Sequence, residues 1–294
     1  MEMLLVLERA GGITAAAEIL HLTQPGVSHW LLELEEVVGC PLFIRGRKLT
    51  LTLAGQVLLR QAERILGDVR RVDDELKAIQ SGLVGRLQIG CVHSAALVLV
   101  PGALSVLHNN HPNVAISVEE DMLSPLLERL HKRELDLVVG AIDLRAQRYN
   151  FVTEVLMNDT VQIVCKPDHP LARKRKPTWQ EALEYPWVLP PTASMTRMKL
   201  DEACAQQHVS LPLPRVETGS VATIHTHLRG TECLGAVTGL VASFYKSIQL
   251  LSDVSLKPAI QLGPIGAIWS EENASPILRE MVNSLKTYAQ RAQP

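Results

Sequence analysis

The stretch 14–39, TAAAEILHLTQPGVSHWLLELEEVVG, constrains the chain more than any other, because it sets two short helical patterns across a tight turn. Thr14 is a helix-start residue, since its hydroxyl can accept a free backbone N–H. Ala15, Ala16, Ala17, Glu18, Ile19 and Leu20 are mostly strong helix formers, and the small alanines let a second helix approach closely. His21 and Leu22 make the turn. Thr23 is a second cap, and Pro25 falls in the first turn of the next helix, where a missing N–H costs nothing. Val27, Leu31, Leu34 and Val38 recur at i, i+4, i+7 and i+11, an inward stripe. Gln24, Pro25, Ser28 and His29 are left outward on the first turns. A helix-turn-helix offers such side chains to base edges in the major groove. Gln pairs bidentately with adenine, and Ser bonds a base or a phosphate. Trp30 and Leu32 are expected to pack against a neighbouring element.

Arg45, Arg47 and Lys48 cluster around a glycine turn, and Leu49 and Leu51 alternate with Thr50. The pattern predicts a short β-hairpin with a basic tip that can reach phosphate or the minor groove. Thr52 then caps a long helix. Leu58, Ala62, Ile65, Val69, Val72, Leu76 and Ile79 alternate steps of four and three, the a/d seam of a coiled coil. Ser81, Gly82, Leu83, Val84 and Gly85 follow at once and read as a hinge. A seam ahead of a hinge has little domain of its own to bury it, so it predicts a dimer. Two linked helix-turn-helix units read a pair of half-sites.

The wording of the first segment is more specific than its spacing. Ala15, Ala17, Glu18, Leu20, Thr23, Gln24, Pro25, Gly26, Val27 and Ser28, then Leu34 and Glu35, resemble the DNA-binding domain of LysR-type transcriptional regulators. So do Leu42, Phe43 and Arg45 with Leu51, Thr52, Ala54 and Gly55 downstream. The resemblance implies a winged helix-turn-helix over 1–55 and a linker and dimerisation helix with hinge over 56–85. It implies double-stranded promoter or operator DNA as partner, and a homodimer or homotetramer. The DNA-contacting set is then Thr23, Gln24, Pro25, Ser28, His29, Arg45, Arg47 and Lys48. The chain departs from the family at His29, where a basic residue is usual. It also starts several residues later than family members do.

Charge argues against bulk attraction to DNA. Lys and Arg total 29 against 31 Asp and Glu, a net charge of −2, and segment 1–55 carries four basic against six acidic side chains. Contacts must therefore come from a local cluster, helix N-termini and doubling by a dimer. Five widely spaced cysteines without a Cys-x-x-Cys speak against a disulfide scaffold or structural zinc, and fit a reducing cytoplasm. A secretory signal and a membrane-spanning apolar run are both absent.

From Arg86 onward strands alternate with helices: strands at 87–92, 115–119 and 135–142, helices at 98–109 and 124–133. This predicts a mostly parallel sheet flanked by helices. A second set follows, with strands at 161–165, 187–189, 215–218, 234–238, 258–262 and 266–269 and a closing helix at 275–292. His169, Pro170, Leu171 and Ala172, with Glu134, Leu135, Asp136 and Leu137, resemble the effector-binding domain of the same family. That implies an α/β fold of periplasmic-binding-protein type over 86–294. Subdomain I would cover about 86–161 and 266–294, and subdomain II about 162–265. The chain is thus α/β overall, with its helical DNA-binding unit in front.

Open α/β sheets bind ligands beyond the carboxyl ends of strands, often at helix N-termini. His93, Ser94 and Ala95 fit after the first strand. Ser194, Thr196 and Arg197 fit after strand 187–189, with Arg197 as a bidentate partner for a carboxylate, and Ser220 is a third candidate. The expected ligand is a small, anionic effector lying between the subdomains; no other cofactor and no metal is expected. No catalytic motif is present, so an enzyme is not expected. His225 and His227, at i and i+2, do not share a helix face. The basic run 173–176 reads as a solvated loop. The alternatives are a thiol redox-sensing regulator using Cys204 and Cys233, a solute-binding protein, or an enzyme.

Overall fold

The computed structural model describes residues 1–44, 46, 48–80, 85–147 and 149–292. Backbone contacts divide the chain into two compact units. The first is Met1–Gln88 with Asn113–Ile116 and Glu128–Asp136; the second is Ile89–Pro112, Ser117–Leu127 and Leu137–Pro294.

The first unit opens with α1 (Glu2–Ala10), α2 (Ile13–Leu20) and α3 (Gln24–Val38), then a hairpin of β1 (Phe43–Ile44) and β2 (Thr50–Leu51), then α4 (Leu53–Gln80). The start of α2 differs from expectation. Gly12 stands at its N-cap without a side-chain bond, so Thr14 lies inside the first turn. His21 takes a left-handed backbone (φ 53°) and turns the chain. Thr23 does cap α3, its Oγ1 accepting the Gly26 N–H at 3.3 Å. Val27 and Leu31 are fully buried with Leu4 and Leu7. The stripe weakens toward the helix end, where Val38 is exposed. Trp30 packs on this core, but Leu32, a step round the helix from Leu31, is 50% exposed rather than packed.

Glu35 joins α3 to the hairpin: its Oε1 accepts the N–H groups of Leu42 at 2.7 Å and Phe43 at 3.2 Å. The hairpin pairs Phe43 with Leu51 and Ile44 with Thr50. Arg45 and Arg47, expected at its tip, lie outside the described residues, as do Ser81, Gly82, Leu83 and Val84 of the expected hinge. Lys48 is exposed, and its aliphatic stem lies over Gly11. Thr52 caps α4, accepting the Gly55 N–H at 3.0 Å and donating to the Pro41 carbonyl at 2.8 Å.

The expected seam on α4 divides into two parts. Leu58 and Ala62 pack into the core of their own domain, where α4 lies against α1. Ile65, Val69, Val72, Leu76 and Ile79 are 43–66% exposed. Another face of α4 meets the segment 132–136: Glu63 pairs with Lys132 at 2.6 Å, Arg70 with Glu134 at 3.4 Å and Arg71 with Asp136 at 3.6 Å. Asp68 pairs with Arg133.

The rest runs β3 (Arg86–Cys91), a π-helical turn (Ala95–Leu99), α5 (Val100–Asn110), β4 (Ala115–Glu120), α6 (Leu123–His131), β5 (Leu137–Ala141), α7 (Leu144–Gln147) and β6 (Val152–Cys165). Then come α8 (Trp179–Leu183), β7 (Trp187–Leu189), α9 (Met195–Gln206), β8 (Val216–Glu217), α10 (Val221–Arg229), β9 (Leu234–Thr238) and α11 (Gly239–Ser247). The chain closes with β10 (Ser252–Val254), β11 (Ile260–Trp269) and α12 (Pro276–Ala292). The strand order is β4-β3-β5-β11-β6-β9-β7-β8, with β10 also on β6.

Two long strands replace several short ones. The expected strand 161–165 is the end of β6, and the expected strands 258–262 and 266–269 are both β11. β11 pairs antiparallel with β6 from Ile260↔Val161 to Trp269↔Val152, with register shifts near Gly263 and Gly266. These glycines explain why the sequence looks broken there. Gly263 has φ 117°, open to glycine at no steric cost, and a Cβ on Gly266 would stand 2.1 Å from the Glu154 carbonyl. Parallel pairs β3–β5 and β7–β9 lie on either side of this antiparallel centre.

Candidate functional site

Two places in the fold hold most of the expected site residues that the structure describes. The first is the outward face of α3. Gln24 and Pro25 are exposed and Ser28 is half-buried. His29 is exposed and lies 3.2 Å from Glu33, one turn on. The Thr23 hydroxyl is engaged by the Gly26 N–H, so it orders the helix start rather than standing free. This end of α3 is also the positive end of its dipole, which suits phosphate.

The second is a cavity of about 490 Å³ in the second unit. Its wall is mainly apolar, including Val92, Leu123, Val237, Val241 and Leu262. His93, Ser94, Ser194 and Thr196 line it, so four of the seven expected ligand-binding residues come together. Ser194 also caps α9, accepting the Arg197 N–H at 3.2 Å.

The other three lie off the lining. Ala95 is fully buried in the π-helical turn, its N–H bonded to the Val92 carbonyl at 2.9 Å. Arg197 is not on the lining itself: its Nε donates to Asp201 one helical turn later, at 3.0 and 3.1 Å, and its Nη1 to the carbonyl of the lining residue Pro190 at 3.5 Å. Ser220 caps α10 by accepting the Thr223 N–H at 3.3 Å, while its neighbours Gly219 and Val221 line the cavity.

Sequence reasoning missed the carboxylates. Glu120, Asp121 and Asp159 all line the cavity. Glu120 Oε1 holds His93 Nδ1 at 2.7 Å. Arg145 also lines it, but its Nε donates to Asp143 at 2.9 Å and its guanidinium reaches Ser124 Oγ at 3.2 Å. Asp159, midway along β6, is 4% exposed. Its Oδ1 accepts the N–H groups of Thr160 at 2.8 Å and Leu240 at 3.2 Å, at the start of α11. Gly239 makes this approach possible, since a Cβ there would stand 2.8 Å from Oδ1. Burial raises the Asp159 pKa, opposed by the N–H groups of Thr160, Leu240 and Gly239 and by the Thr238 hydroxyl. Its Oδ2 is buried without a well-formed hydrogen bond. The signal for this residue was Asn158, Asp159 and Thr160, a polar run inside an otherwise alternating strand. Of the features expected to receive a small anionic effector, the hydroxyls and the helix start at Ser194 and Thr196 lie on the lining, and Arg197 does not.

The remaining candidates are structural. His225 stacks on Tyr245 with ring centroids 4.8 Å apart, and burial lowers its pKa. No metal-holding group occurs among the described residues. The basic run 173–176 is exposed, and Lys174 pairs with Glu181. Burial pushes the thiols of Cys91 and Cys165 up to about 12 and that of Cys204 up to about 11. Cys233 is fully buried. A thiol sensor needs an exposed, acidified cysteine, so the redox alternative is not favoured. No helix among the described residues is long and apolar enough to cross a membrane.

Comparison with known proteins agrees with these features. Residues 1–56 match the model of bacterial regulatory helix-turn-helix proteins of the lysR family, and residues 80–290 match the LysR substrate binding domain. The transcriptional regulator CfxR of Cupriavidus necator is 32% identical over 225 residues, 76% of this chain and 70% of that protein. GbpR of Rhizobium radiobacter is 28% identical over 247 residues, 83% of this chain and 82% of that one. The crystal structure of CbnR, a LysR family regulator, has the same fold, with TM-score 0.64 at 18% identity over 98% of this chain and 97% of that one. The two family models follow one another in the order that the fold displays, and the chain belongs to the LysR family of DNA-binding transcriptional regulators with an effector-binding domain.

Proposed function

We propose that this regulator reads DNA through α3, with Gln24, Pro25, Ser28 and His29 at base edges and backbone and with Arg45, Arg47 and Lys48 of the hairpin on phosphate or in the minor groove. Thr23 acts by fixing the first turn of the helix. The domain limits that go with this reading are 1–55, 56–85 and 86–294, the last with subdomains about 86–161 with 266–294 and about 162–265. The observation behind it is the capped start of α3, where Gln24, Pro25 and His29 are exposed and Ser28 is half-buried. The test is binding to the chain's own upstream region with a salt titration. Gln24→Ala should weaken specific binding by about 1–3 kcal/mol with little change in non-specific binding. Equal loss on all sequences would refute base reading by this residue.

Two copies pair through Ile65, Val69, Val72, Leu76 and Ile79, an apolar stripe exposed in the single chain. Homodimers, and tetramers built from them, work in the cytoplasm and carry out no catalysis. A small-molecule effector occupies the cavity of the second unit, touching His93, Ser94, Ser194 and Thr196. The cavity's size and its mainly apolar wall with a few polar groups support this. The substitution Thr196→Trp should then abolish the effector's influence on DNA binding while leaving basal binding intact.

A further inference from the structure

Resting on the reading that this cavity holds the effector, we infer that His93 and Glu120 form a proton-coupled receptor for an acidic effector: a carboxylate docks on Nε2 of His93, and one proton enters from solvent with it. His93 follows β3, Glu120 ends the neighbouring strand β4, and both line the cavity with side chains 39% and 49% exposed. Glu120 Oε1 lies 2.7 Å from Nδ1. A carboxylate can only accept, so Nδ1 carries the hydrogen, and this fixes the other nitrogen. On neutral His93, Nε2 is a bare acceptor; on charged His93 it is an N–H donor. Nε2 has no partner among the described residues, and the half-exposed ring leaves it open to a ligand. Two bare acceptors repel, so a carboxylate meets neutral His93 only with a proton between them. That proton comes from the solvent and is held at Nε2, and no bond of the effector breaks. Glu120 stabilises the imidazolium as its nearest opposite charge.

An amide could bond neutral Nε2 with no proton. The cavity favours the acid because three helices open onto it. Ser194, Met195 and Thr196 line it from the start of α9, Gly219 and Val221 flank the Ser220 cap of α10, and Thr238 caps α11. These are the positive ends of three helix dipoles. The third already receives a carboxylate, Oδ1 of Asp159 accepting the Leu240 N–H at 3.2 Å. The other charged groups near His93 are engaged or buried. Asp121 Oδ1 accepts the Met122 N–H at 2.7 Å, Arg145 lies on Asp143, and Asp159 is buried. The Cys91 thiol, beside Glu120, is pushed up to about 12 and stays neutral. Histidine is the one side-chain type among these that ordinarily changes charge near neutral pH. The apolar wall suits a hydrocarbon body.

Titration calorimetry on the full chain tests this with benzoate, cyclohexanecarboxylate and pentanoate, each beside its amide. Repeating a titration in buffers of different ionisation enthalpy counts the protons taken up. At about pH 8, where histidines are ordinarily neutral, each carboxylate should bring in close to one proton and each amide none. Carboxylate affinity should fall by roughly tenfold per pH unit in that range. His93→Gln should abolish both the uptake and the slope, and at about pH 6 should weaken carboxylate binding by roughly tenfold, the worth of one charge-assisted hydrogen bond. Glu120→Gln separates the two roles of that carboxylate by sign. Removing a mere nearby negative charge would tighten carboxylate binding; removing the partner of an imidazolium should weaken it and lower the uptake. Tighter binding in Glu120→Gln, uptake that persists in His93→Gln, or amides binding as tightly as carboxylates would overturn the inference while leaving the cavity as the effector site. Binding that persists in Thr196→Trp would instead overturn the cavity reading. If a variant fails to fold, the wild-type proton count decides, zero uptake overturning the inference, and no binding by any member overturns both readings.

Discussion

Gly67 of α4 lies against the backbone carbonyl of Lys132, so close that a Cβ on Gly67 would stand 2.3 Å from that oxygen. The contact lies among four ion pairs between α4 and residues 132–136, between those of Glu63 and Asp68 along the helix. In an open helix, alanine for glycine would stabilise by up to about 1 kcal/mol. Here the obstacle is backbone, which cannot swing aside. Overpacking of this kind costs about 1–3 kcal/mol, so Gly67→Ala should lower the melting temperature and Gly67→Val should lower it further. A rise in either variant would mean that α4 does not sit on this turn.

The cap and the base-reading residues should separate in their effects. Thr23→Ala should cost about 1 kcal/mol of stability, seen in thermal unfolding, with DNA affinity falling on all sequences. Lys48→Ala should leave stability nearly unchanged and reduce the salt dependence of DNA binding by about one phosphate contact.

Oligomer state should respond to one side chain on the exposed stripe. Val72 is 57% exposed, so Val72→Asp should leave helix content and melting of the single chain almost unaltered. Sedimentation should then report monomers. A dimer that survives the substitution would place the interface elsewhere.

Asp159 should make stability depend on pH. Its folded pKa is raised above the ordinary 3.8, chiefly by burial. The folded state therefore holds its proton more tightly than the unfolded chain, and stability falls as pH rises from about 3.8 through the raised folded value. Above that window the wild type carries a buried charge that Asp159→Asn lacks. The variant, without ligand, should melt higher than the wild type at neutral pH, and the gap should close on acidification. An equal gap at every pH would point to packing instead.

Native thiol labelling should stop at one site. Cys40 is half-buried, while Cys91, Cys165, Cys204 and Cys233 are buried. A disulfide reagent should titrate Cys40 quickly and the others only on unfolding. Peroxide should leave DNA binding unchanged.

Local chemistry was legible wherever it is set by near neighbours. The Thr23 cap, the turn at His21, the hairpin with Leu49 inward and the Thr52 cap all follow from residues within a few positions. Long-range pairing was not. The Arg197–Asp201 pair is no such case, being an i, i+4 contact readable from the sequence; Leu58 and Ala62 read as part of an outward seam because their burial depends on α1, some fifty residues earlier in the chain. β11 looked like two strands because Gly263, Pro264 and Gly266 imitate a break that the bulged register absorbs. Asp159 escaped because a lone carboxylate in a strand gains its meaning from Gly239 and Leu240, which only the fold brings near.

Glu35 has a consequence for how this protein meets DNA. A single carboxylate oxygen holds α3 and the start of the hairpin together through two backbone N–H groups. Helix and hairpin therefore cannot rock independently. On the reading proposed above, they would arrive at the duplex as a pre-set template, with little ordering entropy left to lose on contact. The distance between groove and flanking backbone is gauged in advance, so a substitution at Glu35, which touches no base itself, should blur recognition across the whole half-site.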